Sequence, residues 1–314
     1  MFTTTPIEFQ TVDQTTLRGQ LRLPAGDGPH PGIVMSHGFA AVIGQYLPRF
    51  ADAFAGAGFA VLLYDHRNFG ASDGTPRQDI DPFQQVEDTL DAVTALRSQP
   101  TVDPDRIGLW GTSYSGGHAM VVGARDPRVA CVVAQVPTIS GEIALSRRIP
   151  PVATRQTLKG IYADREAIVA GKEPATRPLV DDGSDVPPVF AGPTAAEFMN
   201  RPGSQPEGFV NAVTVQSLGR SRTYNPGEHA HRISPRPLKF IVADHDPVAM
   251  TDLQLELYER LPQPKSLTLI RGEHWAPYDE EAAQSIDAAI EFFTEHLIGT
   301  PASTSEATAV VAPS

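Results

Sequence analysis

One cysteine, Cys131, stands in 314 residues, so an internal disulfide is excluded. It lies in the apolar run VACVVAQV, with no base or cation beside it to lower its pKa, and reads as a small buried hydrophobe. Excess positive charge is also lacking: 25 Lys+Arg stand against 37 Asp+Glu, a formal net charge of -12. That excess argues against nucleic acid or an anionic membrane surface as partner. No run approaches the roughly 20 apolar residues that span a bilayer. The N-terminus MFTTTPIEFQ has neither a basic segment nor an apolar stretch of signal-peptide type, so a cytoplasmic protein is expected. Internal repeats, phosphate-binding glycine loops and dinucleotide fingerprints are absent as well.

What is present is an alternation of strand and helix patterns. IEFQTVDQTTLRGQLRLP reads as two antiparallel strands turning at Asp13-Gln14. Residues 32–40, 59–65, 106–111 and 129–137 carry continuous apolar cores, as strands buried on both faces do. Helical spacing separates them in YLPRFADAFAGAG, in residues 81–99 with Asp81 as cap and Pro82 in the first turn, and in GGHAMVVGAR. The alternation resumes at 238–244 and ends with strand 266–272 and the helix EEAAQSIDAAIEFFTEHL. This order predicts a mostly parallel, doubly wound α/β sheet. Residues 1–139 and 233–298 form its core, and 140–232 an insertion with a basic helical piece, ALSRRIPPVATRQTLKGIYADREAIVAG, and a further helix near AAEFMN. An insertion that long between sheet strands points to function. The tail 299–314, small and polar with two prolines, is expected to be disordered.

The chemistry centres on GTSYSGG, residues 111–117. A strand ends here and a helix begins, the setting of a nucleophile elbow. Residues two before and two after the nucleophile nearly touch and must be small, a condition that both Ser113 and Ser115 meet. With the strand ending at Trp110 and the nucleophile about two residues on, Ser113 is selected and Ser115 becomes a packing residue. A serine hydroxyl needs a base, and the base an orienting carboxylate. In elbow-bearing sheets the chain order is serine, acid, histidine. His274 follows the last strand, and Asp244 and Asp246 both follow the strand before it. Oxyanion donors are expected at the backbone N–H groups of Tyr114 and of Phe39, in SHGFA. His37, on the wrong side of that order, reads as a brace for its loop.

Weaker signals read as structure. HAH (229–231) has the spacing of two metal ligands without a third, and DHRNFGASDG (65–74) reads as a loop with Arg67 and Asp73 paired. The basic SRRIPP segment reads as a solvated helix rather than a substrate-facing patch.

These residues resemble the α/β-hydrolase superfamily over nearly the whole chain outside the insertion and tail. SHGFAA, YDHRNFGASDG, IDPFQQVEDTLDAV, GTSYSGGH and VADHDPVAMTDLQLELYE are similar to one subgroup of it. That subgroup holds dienelactone-hydrolase-like and Xaa-Pro dipeptidyl-peptidase-like hydrolases with fungal polyketide transferases. The resemblance implies a turn in which Ser115 is expected, an acid at Asp246, a helical cap for 140–232, and neither metal nor organic cofactor. Neither the signal sequence nor the large extra domains of the secreted peptidase members are expected in this chain, so a peptidase role is not expected either. The expectation is a serine hydrolase of carboxylic esters, thioesters or lactones, with the triad Ser113, His274 and Asp246, a small-molecule acyl substrate and a homodimer as the assembly. Its rivals are an acyl transferase using the same triad and a ligand-binding protein on the same scaffold.

Overall fold

Alternate apolar residues along the central strands feed two separate cores, and this decides the architecture. Ile33, Met35, Val61, Leu63, Trp110 and Val133 face one side of the sheet, while Val34, Leu62, Leu109 and Val132 face the other. A strand buried on both faces must be covered by helices on both. The computed structural model describes residues 1–299.

The strands are β1 (Phe2–Gln10), β2 (Thr16–Pro24), β3 (His30–Ser36), β4 (Ala60–Tyr64), β5 (Val102–Thr112), β6 (Val129–Gln135), the two-residue β7 (Thr176–Arg177) and β8 (Val213–Thr214), β9 (Leu238–Ala243) and β10 (Lys265–Ile270). The helices are α1 (Leu47–Gly56), α2 (Pro82–Arg97), α3 (Tyr114–Arg125), α4 (Gly141–Arg148), α5 (Pro151–Val169), α6 (Pro193–Asn200), α7 (Val215–Ser221), α8 (Thr251–Arg260) and α9 (Ala282–Phe293). Eight strands form one sheet in the order β1-β2-β4-β3-β5-β6-β9-β10. The β1–β2 and β2–β4 pairs are antiparallel and the others parallel.

Helices α1 and α9 close one face, where Phe50, Phe54 and Phe293 are fully buried and pack on one another and on Trp110. Each such ring contributes about 1.5–3 kcal/mol by leaving water. Helix α2 begins as its sequence predicts, with the Asp81 carboxylate accepting from the N–H groups of Phe83 and Gln84. Cys131 is buried, and burial pushes its thiol pKa up. Among the described residues, no helix is long and apolar enough to cross a membrane.

Three expectations differ from the structure. Strand β5 runs to Thr112, so Ser113 follows it directly, because pairing with β6 continues to Thr112↔Gln135. Strand β3 ends at Ser36, and residues 37–40 are loop rather than strand. The basic piece of the insertion is two helices, broken at Ile149 and Pro150, whose backbones are extended. Pro151 disfavours helical geometry in the residue before it, and Pro150 does the same to Ile149. The tail expectation, beyond Gly299, lies outside the described residues.

Between β6 and β9, neighbours in the sheet, the chain leaves the sheet and carries α4–α7 over its carboxyl end. Arg220 pairs with Asp79, the Gln45 amide donates to the Ser204 carbonyl, and the Tyr46 hydroxyl to the Phe198 carbonyl. These contacts hold the insertion against the loops that follow β3 and β4.

Candidate active site

Ser113 stands between β5 and α3 in a backbone conformation that L residues rarely adopt, φ 54° and ψ -116°. Such a residue persists only where its surroundings over-determine it. Here its N–H donates to the Gln135 carbonyl, and its own carbonyl accepts from Gly116 and Thr138. The turn is tight enough that a Cβ on Gly111 would lie 2.0 Å from the Ser115 carbonyl oxygen. Gly111→Ala should therefore destabilise the fold by about 3 kcal/mol through overpacking against backbone that has nowhere to move. A melting temperature equal to that of the unchanged protein would contradict this reading of the turn.

Three side chains form one line of hydrogen bonds. Ser113 Oγ lies 3.0 Å from His274 Nε2, and His274 Nδ1 lies 2.7 Å from Asp246 Oδ2. His274 and Asp246 are almost completely buried. The Asp246 carboxylate also accepts from the N–H groups of Val248 and Ala249, at 2.8 Å each, and from the Gln254 amide at 3.3 Å. Burial alone would raise its pKa. Attraction and hydrogen bonding from His274, with the two N–H groups, outweigh burial and hold it below the usual carboxylate value. With Asp246 ionised, Nδ1 carries the proton and Nε2 is free to accept from Ser113. Asp244 is turned elsewhere: its exposed carboxylate takes the Gly272 N–H and His245 Nδ1.

Phe39 and Tyr114 flank Ser113, their rings edge to face at 5.2 Å. Among the described residues, neither backbone N–H has a hydrogen-bond acceptor. Gly38 brings that loop close, since a Cβ there would lie 3.2 Å from Ser113 Cβ. His37 braces the loop: its Nδ1–H donates to the Gly38 carbonyl and its Nε2 accepts the His66 N–H.

Sequence reasoning passed over what lies behind the elbow. His66 Nε2 bonds the buried Ser115 hydroxyl at 3.0 Å, and His118 is held between the Tyr224 hydroxyl and the Gln85 amide oxygen. His37, His66 and His118 stack edge to face in series. The signal was available for His66, which opens the loop after β4 at the same sheet edge as Ser113. Burial lowers the pKa of all three rings, that of His118 to about 3. An unfolded histidine titrates near 6.5, so below that pH the unfolded chain takes up protons that the folded rings refuse. Stability should therefore fall as pH drops from about 6.5 towards about 3. Melting temperatures between about pH 7.5 and about pH 5 should fall less steeply in His118→Gln. An unaltered slope would show that His118 is not buried neutral.

Other readings are corrected. Arg67 does not pair with Asp73; it pairs with Asp88 and Asp13, and Asp73 pairs with Arg18. Asp88 projects from α2 towards Arg67, and Asp73 sits beyond the turn beside β2, so sequence proximity misled. His229 and His231 lie in a short 3₁₀ helix, Pro226–Arg232, rather than in a plain loop. The basic pair in SRRIPP divides: Arg147 bonds Asp252 on the surface, while Arg148 lines the cavity at Ser113. Two cavities meet at Ser113. One, of about 110 Å³, runs under α4 and α7; the other, of about 50 Å³, is walled by Tyr46, Phe198, Trp275 and Tyr278. The second is aromatic by construction, with Phe198 stacked between Tyr46 at 4.1 Å and Trp275 at 4.6 Å.

Known proteins carry the same architecture. Residues 13–177 match the model of the X-Pro dipeptidyl-peptidase (S15) family. The thiohydrolase aneE of Aspergillus aculeatus is 33% identical over 305 residues, 93% of each chain. The acyltransferase drtE of Aspergillus calidoustus is 34% identical over 300 residues, 93% of this chain and 95% of its own. The crystal structure of the α/β hydrolase GrgF from Penicillium sp. sh18 superposes with a TM-score of 0.82 at 31% identity, covering 94% of this chain and 99% of that one. An elbow between β5 and α3, a doubly wound sheet and relatives that are hydrolases or transferases lead to one conclusion: the chain is an α/β-hydrolase enzyme and belongs to the X-Pro dipeptidyl-peptidase (S15) family.

Proposed function

We propose that this enzyme cleaves a carboxylic ester, thioester or lactone with Ser113 as nucleophile, His274 as general base and Asp246 as its orienting acid. The observation that carries the reading is the unbroken line from Ser113 Oγ through His274 to Asp246. Nε2 takes the hydroxyl proton as Oγ bonds to the substrate carbonyl carbon. The oxyanion is received by the free N–H groups of Phe39 and Tyr114, donors already in place before charge develops. The Nε2 proton then passes to the departing oxygen or sulfur, leaving an acyl group on Ser113. Water, deprotonated by the same His274, releases the acid. Residues 140–232 act as a cap that covers these steps, with α4 and α7 lining the cavity at the nucleophile.

Acyl transfer to an alcohol or amine is the second reading, favoured by nearly equal identity to a thiohydrolase and an acyltransferase. The two differ only in what captures the acyl-enzyme, and hence in how far the cap excludes water. A thioester turned over with a competing alcohol in the mixture tests this. Free acid as the product at every alcohol concentration supports hydrolysis; an ester product that grows to dominate supports transfer.

A further inference from the structure

The cavity under α4 and α7 is lined by three arginines, Arg148, Arg177 and Arg222, and by no acidic residue among the described ones. Elsewhere in the insertion Arg147, Arg201 and Arg220 pair with Asp252, Glu197 and Asp79, and the arginines without a carboxylate among the described residues, Arg155, Arg165 and Arg232, are exposed to solvent. The three cavity arginines have no acidic partner among the described residues. Arg222 goes further: its Nη1 is buried without a hydrogen-bond partner, although the remaining wall is largely apolar, with Leu145, Ile149 and Leu218. A buried, unpaired guanidinium nitrogen is costly, and in a native protein it calls for a partner that is not part of the chain. Arg148 and Arg177 also line the larger cavity of about 870 Å³ that continues outward between α5 and α7. The acid there, Asp164, is already occupied by the Ala175 N–H and the Gln216 amide. Burial lowers the Arg148 pKa, and the Asp246 carboxylate, too far away to form an ion pair with it, offsets this only in part. The aromatic cavity on the other side of Ser113 has no charged residue in its wall among the described residues.

We infer that the substrate of this enzyme carries an anionic oxygen group, a carboxylate or a phosphate, bound by Arg148, Arg177 and Arg222 while Ser113 attacks the acyl carbonyl. A guanidinium presents a planar fork of donors that matches either group. The inference rests on Ser113 being the nucleophile. It fixes one end of the substrate as charged and the other, in the aromatic cavity, as apolar. It leaves two sources for the anion: the far end of the acyl chain, or the leaving arm.

Matched thioesters separate them. On the acyl side, the N-acetylcysteamine thioester of hexanoic acid is compared with the monothioester of adipic acid. On the leaving side, the hexanoyl thioester of N-acetylcysteamine is compared with that of phosphopantetheine. A charge-assisted contact raises kcat/KM of the anionic member by about tenfold or more. The arm that shows this preference identifies the source, and in Arg222→Gln and Arg148→Gln the anionic-to-neutral ratio falls towards one. Calorimetric binding of the same pairs to Ser113→Ala gives a second readout that needs no turnover. No preference in either arm by either readout overturns the inference, as does a preference kept in both arginine variants. Neutral thioesters turned over without any anionic preference sink this inference alone. Anionic ligands preferred by Ser113→Ala, with no turnover by the unchanged enzyme, sink the catalytic reading and uphold the anion site.

Discussion

Ser113→Ala lowers the turnover of a short p-nitrophenyl ester by a factor on the order of 10⁴ to 10⁶ and leaves the protein folded. The size of the loss follows from the chemistry: without Oγ no acyl-enzyme forms, and only the oxyanion donors and binding contacts act on the ester. The fold survives because the elbow is held by backbone bonds from Ser113 N–H to Gln135 and from Gly116 and Thr138 to the Ser113 carbonyl, none of which uses the side chain. Ser115→Ala is the control. The Ser115 hydroxyl points away from the cavities to His66 Nε2, so its removal leaves a buried ring nitrogen unpaired and costs about 1–3 kcal/mol of stability and little turnover. Activity and unfolding measured on both variants decide the register, and full activity in Ser113→Ala with loss in Ser115→Ala would reverse it.

Asp246→Asn should lower kcat by about 10⁴, and Asp244→Asn should leave it near that of the unchanged enzyme. Asp246 Oδ1 accepts the Val248 and Ala249 N–H groups, so an asparagine there keeps its oxygen on those donors. Its amide NH₂ then faces His274 Nδ1, which must accept rather than donate. The ring proton moves to Nε2, and the atom that should take the Ser113 proton already holds one. The shape of the site is kept and its direction of proton flow is lost. Asp244, on Gly272 and His245 at the surface, has no such link. Steady-state kinetics on the two variants check this, and a large loss in Asp244→Asn with none in Asp246→Asn would exchange their roles.

The two aspartates also show where the sequence stops being informative. Both follow β9, and their spacing alone permits either. What separates them is the Pro247-Val248-Ala249 turn, which aims two backbone N–H groups at Asp246, a property of conformation rather than composition. The doubly wound sheet, by contrast, was legible because strands buried on both faces have continuous apolar runs. Small neighbours alone admitted both Ser113 and Ser115, and it is Ser113 that stands in the strained turn between β5 and α3. The end of β5 was placed two residues early, since Gly111 and Thr112 look like turn residues until pairing with β6 is known. The histidine series and the cavity arginines were not legible. His37, His66 and His118 come from three separate segments, and Arg148, Arg177 and Arg222 from α4, β7 and the residue after α7, so tertiary packing alone brings each set together. The resemblance to the family pointed to Asp246 as the acid and to a helical cap, and was silent on these arginines.

The most direct measurement is labelling with a fluorophosphonate, which bonds to an activated serine, followed by peptide mapping in a mass spectrometer. The account predicts a single adduct on the peptide containing Ser113, abolished in Ser113→Ala and strongly slowed in His274→Ala. An adduct on Ser115, or no adduct on a folded protein, would contradict it.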